Sequence, residues 1–378
     1  MTRPRNCNLC PPKVLVSPKT RALRLLIAAG GTGGHIYPGL AVGRAFAARH
    51  PGAEVVFIGT ARGLEDQIIG GAGFPVRRLR AEPLRGGSLA RKIKGVAALL
   101  PALRDADRLL RELRPDAVFG VGGYSAGPVL LAASLRRVPT LILEPNFDPG
   151  LANRWLARFV DAAAVAWEET ARHFRGKAFV SGNPIRAEIA ATPDVEQVVS
   201  SERPAVLLFG GSQGSRVLND AMIAALPHLP AIIGLTHQTG PADLERVRAA
   251  YRGAGRSARV EPYLPDMPAE YARCAIVVSR AGATTCAELA AAGRGAILVP
   301  LELAAAHQLH NAEALRRNGA ALILREAALN GNTLAQALTR LAGDREECIR
   351  MGHAARRLAQ PDATEKIVSK LEELMALG

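Results

Sequence analysis

Four glycine-rich segments hold most of the chemistry that can be read from this chain. They are Gly30-Gly31-Thr32-Gly33-Gly34-His35, Gly120-Val121-Gly122-Gly123-Tyr124-Ser125-Ala126-Gly127, Gly210-Gly211-Ser212-Gln213-Gly214-Ser215 and Ser279-Arg280-Ala281-Gly282-Ala283-Thr284. Each follows a short apolar run and opens a stretch of helical period. A strand that ends in glycines and turns into a helix presents several backbone N–H groups at the positive end of a helix dipole, and that geometry attracts phosphate. Glycine lets the ligand approach the backbone closely. None of the segments ends in the Lys-Ser/Thr of a P-loop, and the first lacks Gly-x-Gly-x-x-Gly spacing, which counts against ATP and dinucleotides. His35 ends the first segment with a group that titrates near working pH. From sequence it is a general base, a donor to a diphosphate, or a structural cap.

Short β-type runs alternating with longer Ala/Leu/Arg runs are the pattern of a parallel sheet covered by helices on both faces, so the fold class is α/β. Strands are expected over 23–29, 54–58, 117–121, 140–143 and 162–166, with helices starting near Pro38, Leu89, Gly127 and Gly150. A second series follows over 205–209, 231–235, 275–279 and 295–299. Both series open alike, an apolar run entering a Gly-Gly turn, as in a weak internal duplication. The expected units are a flexible leader over 1–20, a first doubly wound domain over 21–183 and a second over 184–360. The tail, 361–378, carries Ile367, Leu371, Leu374 and Met375 at helical spacing and is expected to pack back on the first domain. Ligands of such sheets bind at the strand C-terminal ends, so the two glycine-rich pairs should face a shared cleft.

The 378 residues suit two domains, and the apolar content supplies sizeable cores. No run approaches the ~18 apolar residues of a spanning helix. The formal net charge of +14 attracts anions without choosing among them. Sparse aromatics argue against a single-strand nucleic-acid platform, and no nucleic-acid partner is expected. Five cysteines without framework spacing suit a reducing compartment, and Cys7 with Cys10 has no second pair to complete a zinc site. Asp105 and Asp107 lie in a charged helical pattern where pairing with Arg111 is the ordinary reading, so neither a metal nor a cofactor is implied. Arg85, Arg91, Lys92 and Lys94 among Leu84, Leu89, Ile93, Val96, Leu99 and Leu100 read either as a peripheral membrane patch or as a helix packed on the first domain.

The segments GGTGGHIYPGLAVG (30–43), GVGGYSAGP (120–128), EPN (144–146), GNPIR (182–186), FGGSQGS (209–215), SRAGATTCAEL (279–289) and HQLHNA (307–312) resemble, in order, those of the MurG family. These are the undecaprenyl-diphospho-muramoylpentapeptide β-N-acetylglucosaminyltransferases of peptidoglycan synthesis. The resemblance implies a GT-B fold, with two Rossmann-like domains facing a central cleft. It implies UDP-N-acetylglucosamine (UDP-GlcNAc) on the second domain, lipid I on the first, and a peripheral place at an anionic membrane surface on the cytoplasmic face of the inner membrane. It assigns Ser212 and its loop to the nucleotide phosphates, Arg186 to the donor, the Leu264 backbone to uracil, Glu288 to the ribose, and His307 with Gln308 to the transferred sugar. The remaining donor contacts fall on Ala283, Thr284, Thr285, Cys286 and Ala287. Thr32, Gly33, Gly34, His35 and Asn146 face the cleft from the first domain, and Gly122, Gly123, Tyr124 and Ser125 form the loop for the acceptor diphosphate. Two departures stand out. Pro145 replaces the usual Gln of Glu-Gln-Asn, removing a backbone donor and holding Glu144 extended. Ala304, Ala305 and Ala306 stand where the family often carries polar residues.

Overall fold

The computed structural model describes residues 21–30, 33–59, 64–79, 89–123, 125–199, 204–302 and 307–377, with side chains unspecified at 64–67, 89–99 and 377. The leader with Cys7 and Cys10, Thr32, Tyr124, Leu84, Arg85 and Ala304 to Ala306 lie outside the described residues.

The first sheet contains β1 (Arg24–Ala29), β2 (Glu54–Gly59), β3 (Val76–Arg78), β4 (Ala117–Gly122), β5 (Thr140–Glu144), β6 (Ala162–Val165) and β7 (Ala178–Val180). The second contains β8 (Ala205–Phe209), β9 (Gly234–Gln238), β10 (Arg259–Glu261), β11 (Ile276–Ser279), β12 (Gly295–Leu298) and β13 (Ala321–Ile323). All recorded pairings are parallel, in the orders β3-β2-β1-β4-β5-β6-β7 and β10-β9-β8-β11-β12-β13. In each sheet the first strand in sequence sits centrally, and the chain winds outward from it in both directions. That leaves a crevice at the β1/β4 and β8/β11 C-terminal ends, where the glycine-rich segments lie.

Strand residues alternate between cores on the two faces. Leu26 and Ala28 join one first-domain cluster while Leu25, Ile27 and Ala29 join the other. Burial on both faces is why the strands read as near-continuous apolar runs. The C-terminal helix, Ala363–Leu377, packs on the helix Gly33–Arg49 and on β4. Ile367, Val368, Leu371 and Met375 enter the first-domain core, and Arg49 pairs with Glu365 and Glu372 at the rim.

Three local differences from the sequence reading have physical causes. The helix expected near Pro38 begins at Gly33, with Pro38 buried inside it. Proline lacks its own N–H and crowds the carbonyl four residues back, so here it costs the helix the bond to Gly34 without ending it. The second strand of the second sheet lies at Gly234–Gln238 rather than 231–235, because Ile233 turns back to bond Pro230 and pairing with β8 starts at Gly234. The short outer strands β3, β7, β10 and β13 were absent from the reading, being three residues long and without a clear period.

Candidate active site

A cavity of about 350 Å³ opens between the two sheets. Gly33, Gly34 and Tyr37 line it from the first domain. Across from them stand Arg186, Ser212, Leu264, Thr284, Thr285 and Glu288. Eight residues singled out from sequence thus meet in one space: Gly33, Gly34, Arg186, Ser212, Leu264, Thr284, Thr285 and Glu288. Its size lies within the range of small-molecule sites.

The floor is built from helix starts. Ser212 precedes the helix Arg216–Ala225, whose cap is Ser215 accepting from the Leu218 N–H. At Gly214, φ is +75° and a Cβ would run into the Thr239 carbonyl, so only glycine lets this loop lie against the end of β9. The helix Ala283–Ala292 starts after Gly282, which offers no side-chain cap, so its first N–H groups are left for a ligand. Its other end is closed by Gly293 in the left-handed region and by buried Arg294, which donates to the carbonyls of Ala292, Gly293, Tyr271 and Pro193. Arg280 is not free for phosphate. It donates to Ser215 Oγ and the Val299 carbonyl and pairs with Glu326 at 2.6 Å.

Glu288 and Arg186 form the charged wall. The Glu288 carboxylate is 6% exposed, 2.8 Å from Arg186 Nη2, and accepts from the Tyr271 hydroxyl at 3.2 Å. Burial, reinforced by the adjacent carboxylate, holds the Tyr271 phenol well above its usual pKa, so it remains a donor. Arg186 Nε is buried with no hydrogen-bond partner among the described residues. An orphaned guanidinium N–H carries a desolvation penalty that an incoming anion or oxygen ligand removes.

His35 lies in the first turn of the helix Gly33–Arg49. Burial lowers its pKa below the ordinary 6.5, opposed by its hydrogen bond to the Gly30 carbonyl. The second glycine-rich loop closes on it. A Cβ on Gly122, at φ +123°, would lie 2.7 Å from His35 Cδ2, and one on Gly123, at φ +81°, would overlap the Gly30 carbonyl oxygen. Ser125 caps the helix Ala126–Leu135 without a side-chain bond, and its fully buried hydroxyl has no partner among the described residues.

Other expected residues stand apart from this cavity. Ala283, Cys286 and Ala287 face a separate space of about 250 Å³ behind the helix, lined also by Pro145, Trp167 and Asn183. Asn146 donates to Glu144 Oε1 and accepts from Asn311 Nδ2. Glu144 does end an extended strand, as Pro145 requires. Its carboxylate is 1% exposed and takes N–H bonds from Asn146, Gly150 and Asn153, while burial raises its pKa. His307 and Gln308 open the helix His307–Arg317 outside the cavity lining, with Gln308 Oε1 accepting from the Leu301 N–H. The sequence reading gave no role to Tyr37, Tyr263, Tyr271 or Asn311. Asn311, fully buried, ties the domains together through Phe147 N–H, Asn146 Oδ1 and the Ala281 carbonyl. Tyr37 and Asn311 were signalled only by lying inside the quoted motifs.

Paired doubly wound sheets, with anion-ready helix starts and a carboxylate–guanidinium wall in the cleft, define a GT-B fold with an anion-binding cleft. Residues 25–165 match the glycosyltransferase family 28 N-terminal domain, and residues 205–367 match the family's C-terminal domain. The chain is 43% identical over 374 residues to the UDP-N-acetylglucosamine--N-acetylmuramyl-(pentapeptide) pyrophosphoryl-undecaprenol N-acetylglucosamine transferase of Pelobacter propionicus, covering 92% of this chain and 99% of that protein. It is 44% identical to the enzyme of the same name from Anaeromyxobacter sp. strain Fw109-5, covering 93% and 94%. The crystal structure of Acinetobacter baumannii MurG superposes with a TM-score of 0.75 at 31% identity, over 93% of this chain and 99% of that one. The chain belongs to the MurG family. A UDP-GlcNAc 2-epimerase from Neisseria meningitidis superposes with a TM-score of 0.66 at 13% identity, which shows the shared fold alone.

Proposed function

We propose that this protein transfers N-acetylglucosamine from UDP-GlcNAc to the C4 hydroxyl of the MurNAc-pentapeptide of lipid I, giving lipid II with inversion at the anomeric carbon. The observation that carries the reading is the cavity in which the Ser212 loop, the open start of the helix Ala283–Ala292, Arg186 and Glu288 converge. The acceptor oxygen attacks the anomeric carbon, the bond from that carbon to UDP breaks, and its electron pair leaves on the β-phosphate. The N–H groups at Ser212, Thr284 and Thr285 and the helix dipole meet that growing charge, where one preorganised donor is worth about 3–4 kcal/mol. Arg186 supplies its unpartnered N–H, Glu288 the ribose contacts, the Leu264 backbone the uracil edge, and His307 with Gln308 the sugar. Thr32 and Asn146 complete the cleft. Gly122, Gly123, Tyr124 and Ser125 hold the acceptor diphosphate, supported by the orphaned Ser125 hydroxyl.

His35 takes the proton released by the acceptor. Burial lowers its pKa, which keeps the imidazole neutral at working pH and suits it to accept a proton.

A lipid-linked acceptor calls for peripheral contact with the cytoplasmic face of an anionic inner membrane. No helix among the described residues is long and apolar enough to cross one. Leu100, Leu135 and Trp155 are exposed on first-domain helices that pack in series, beside Arg136, Arg154 and Arg158.

The test is incubation with labelled UDP-GlcNAc, with and without lipid I. Label should enter lipid only when acceptor is present. Epimerised donor formed without acceptor would overturn the reading.

A further inference from the structure

The first turn of the helix Gly33–Arg49 touches both halves of the cleft, and its residues divide by face. His35 and Tyr37 are two apart and so point to opposite sides of the helix. His35 meets the second glycine-rich loop, whereas Tyr37 enters the nucleotide-sized cavity, lined otherwise from the second domain apart from Gly33 and Gly34.

Tyr37 is held by two second-domain groups at once. Its hydroxyl is 2.9 Å from the Tyr263 hydroxyl, and the Arg186 guanidinium lies over its ring, 4.6 Å from the centroid. Tyr263 immediately precedes Leu264, and Arg186 is the partner of Glu288. One side chain of the first domain therefore bears on both the segment beside Leu264 and the charged wall.

A tether beside it holds the domains in this arrangement. Pro38 has no N–H, so the Gly34 carbonyl lacks the helical donor it would normally receive. The Thr284 hydroxyl, from the helix start across the cleft, donates to that carbonyl at 2.9 Å. Thr284 in turn accepts from Asn183 Nδ2 at 3.3 Å, so its proton is directed to Gly34.

We propose that Tyr37 is a donor-positioning residue supplied by the acceptor domain: its ring seats Arg186 and its hydroxyl seats Tyr263, so the nucleotide-sugar pocket is complete only when the domains are closed. This inference rests on the donor assignment above. It adds that donor affinity depends on a residue outside the donor domain.

The experiment measures UDP-GlcNAc affinity of the full-length protein by titration calorimetry, and donor and acceptor KM with kcat, for Tyr37→Phe, Tyr263→Phe and the double variant. Each single change removes one hydroxyl and keeps the ring, and should weaken donor Kd and KM about three- to tenfold, the value of one neutral hydrogen bond. The double variant should be no weaker than the weaker single, because both break the same bond. Acceptor KM and kcat should stay within about twofold, since the hydroxyl pair touches neither acceptor nor reacting atoms, and Tyr37→Leu should weaken the donor further by losing the cation–π contact. Unchanged donor affinity in Tyr37→Phe, or losses that multiply in the double variant, overturns the proposal. A purely structural role would lower the melting temperature of all variants without this donor-specific split. Wild-type protein that binds UDP-GlcNAc but transfers nothing to lipid I refutes the transferase reading, while the Kd series still decides Tyr37.

Discussion

At the residue scale the site depends on a few polar groups whose partners are incomplete. Arg186 Nε, Ser125 Oγ and His307 Nδ1 are buried without hydrogen-bond partners among the described residues. Each such orphan in a native fold calls for an explanation, and a bound ligand, ion or water is one. His35 differs, because its bond to Gly30 is made and burial sets its charge state. The protonated form is disfavoured, so His35 is neutral and able to accept a proton at and above the ordinary histidine value of 6.5, losing that ability only as pH falls through its lowered pKa. The acid limb of kcat should therefore lie below pH 6.5, and His35→Ala should remove the limb and cost about 10²- to 10⁴-fold in kcat. A pH–rate profile checks this, and an unchanged limb in His35→Ala would assign the base elsewhere. His35 was visible in the sequence as a titrating group at a helix start. Its surroundings were not, because Gly30 bonds it and Gly122, nearly ninety residues away, packs against its ring.

At the element scale, both helix starts of the second domain are fixed from behind. Arg294 and Gly293 cap the far end of the helix Ala283–Ala292, and Arg280 ties its approach to the Ser212 loop through Ser215. The C-terminal helix does comparable work for the first domain. Leu371 is fully buried against the core around Ile27 and Phe46 and the helix Gly33–Arg49 that carries His35 and Tyr37. Leu371→Ala should cost about 2–5 kcal/mol in denaturant unfolding. Because the helix belongs to the first-domain core, the loss should appear in the transition of that domain. The period of Ile367, Leu371, Leu374 and Met375 revealed an amphipathic helix. Which surface it covers is a matter of shape, which periodicity does not encode.

At the scale of the whole molecule, the first glycine-rich segment proves to be shared. The family resemblance put the donor on the second domain and lipid I on the first, where this segment lies. Gly33 and Gly34 nonetheless line the same cavity as Ser212 and Glu288, and Gly34 takes the Thr284 hydroxyl across the cleft. The surface has its own signature in the +14 net charge and the exposed Leu135 and Trp155. Binding to anionic vesicles should fall steeply as salt rises, since the screening length shrinks from about 10 Å at 0.1 M to about 3 Å at 1 M. Replacing Leu135 and Trp155 by serine should lower binding at every salt concentration. Flotation measures both, and salt-independent binding would count against an electrostatic surface.

The amino-acid sequence by itself determined the two doubly wound units, the central strands and the glycine-rich turns that lead into helices, because apolar period and such turns are local signals that parallel sheets require. It also singled out eight of the residues that meet in the cavity, though not Tyr37 or Tyr263. Only the tertiary structure decided how they are joined. The Tyr37–Tyr263 and Thr284–Gly34 bonds each span more than two hundred residues, and no periodicity relates their ends. Asn311 likewise shows its purpose only when both domains surround it, because an amide's worth lies in the partners that folding brings to it.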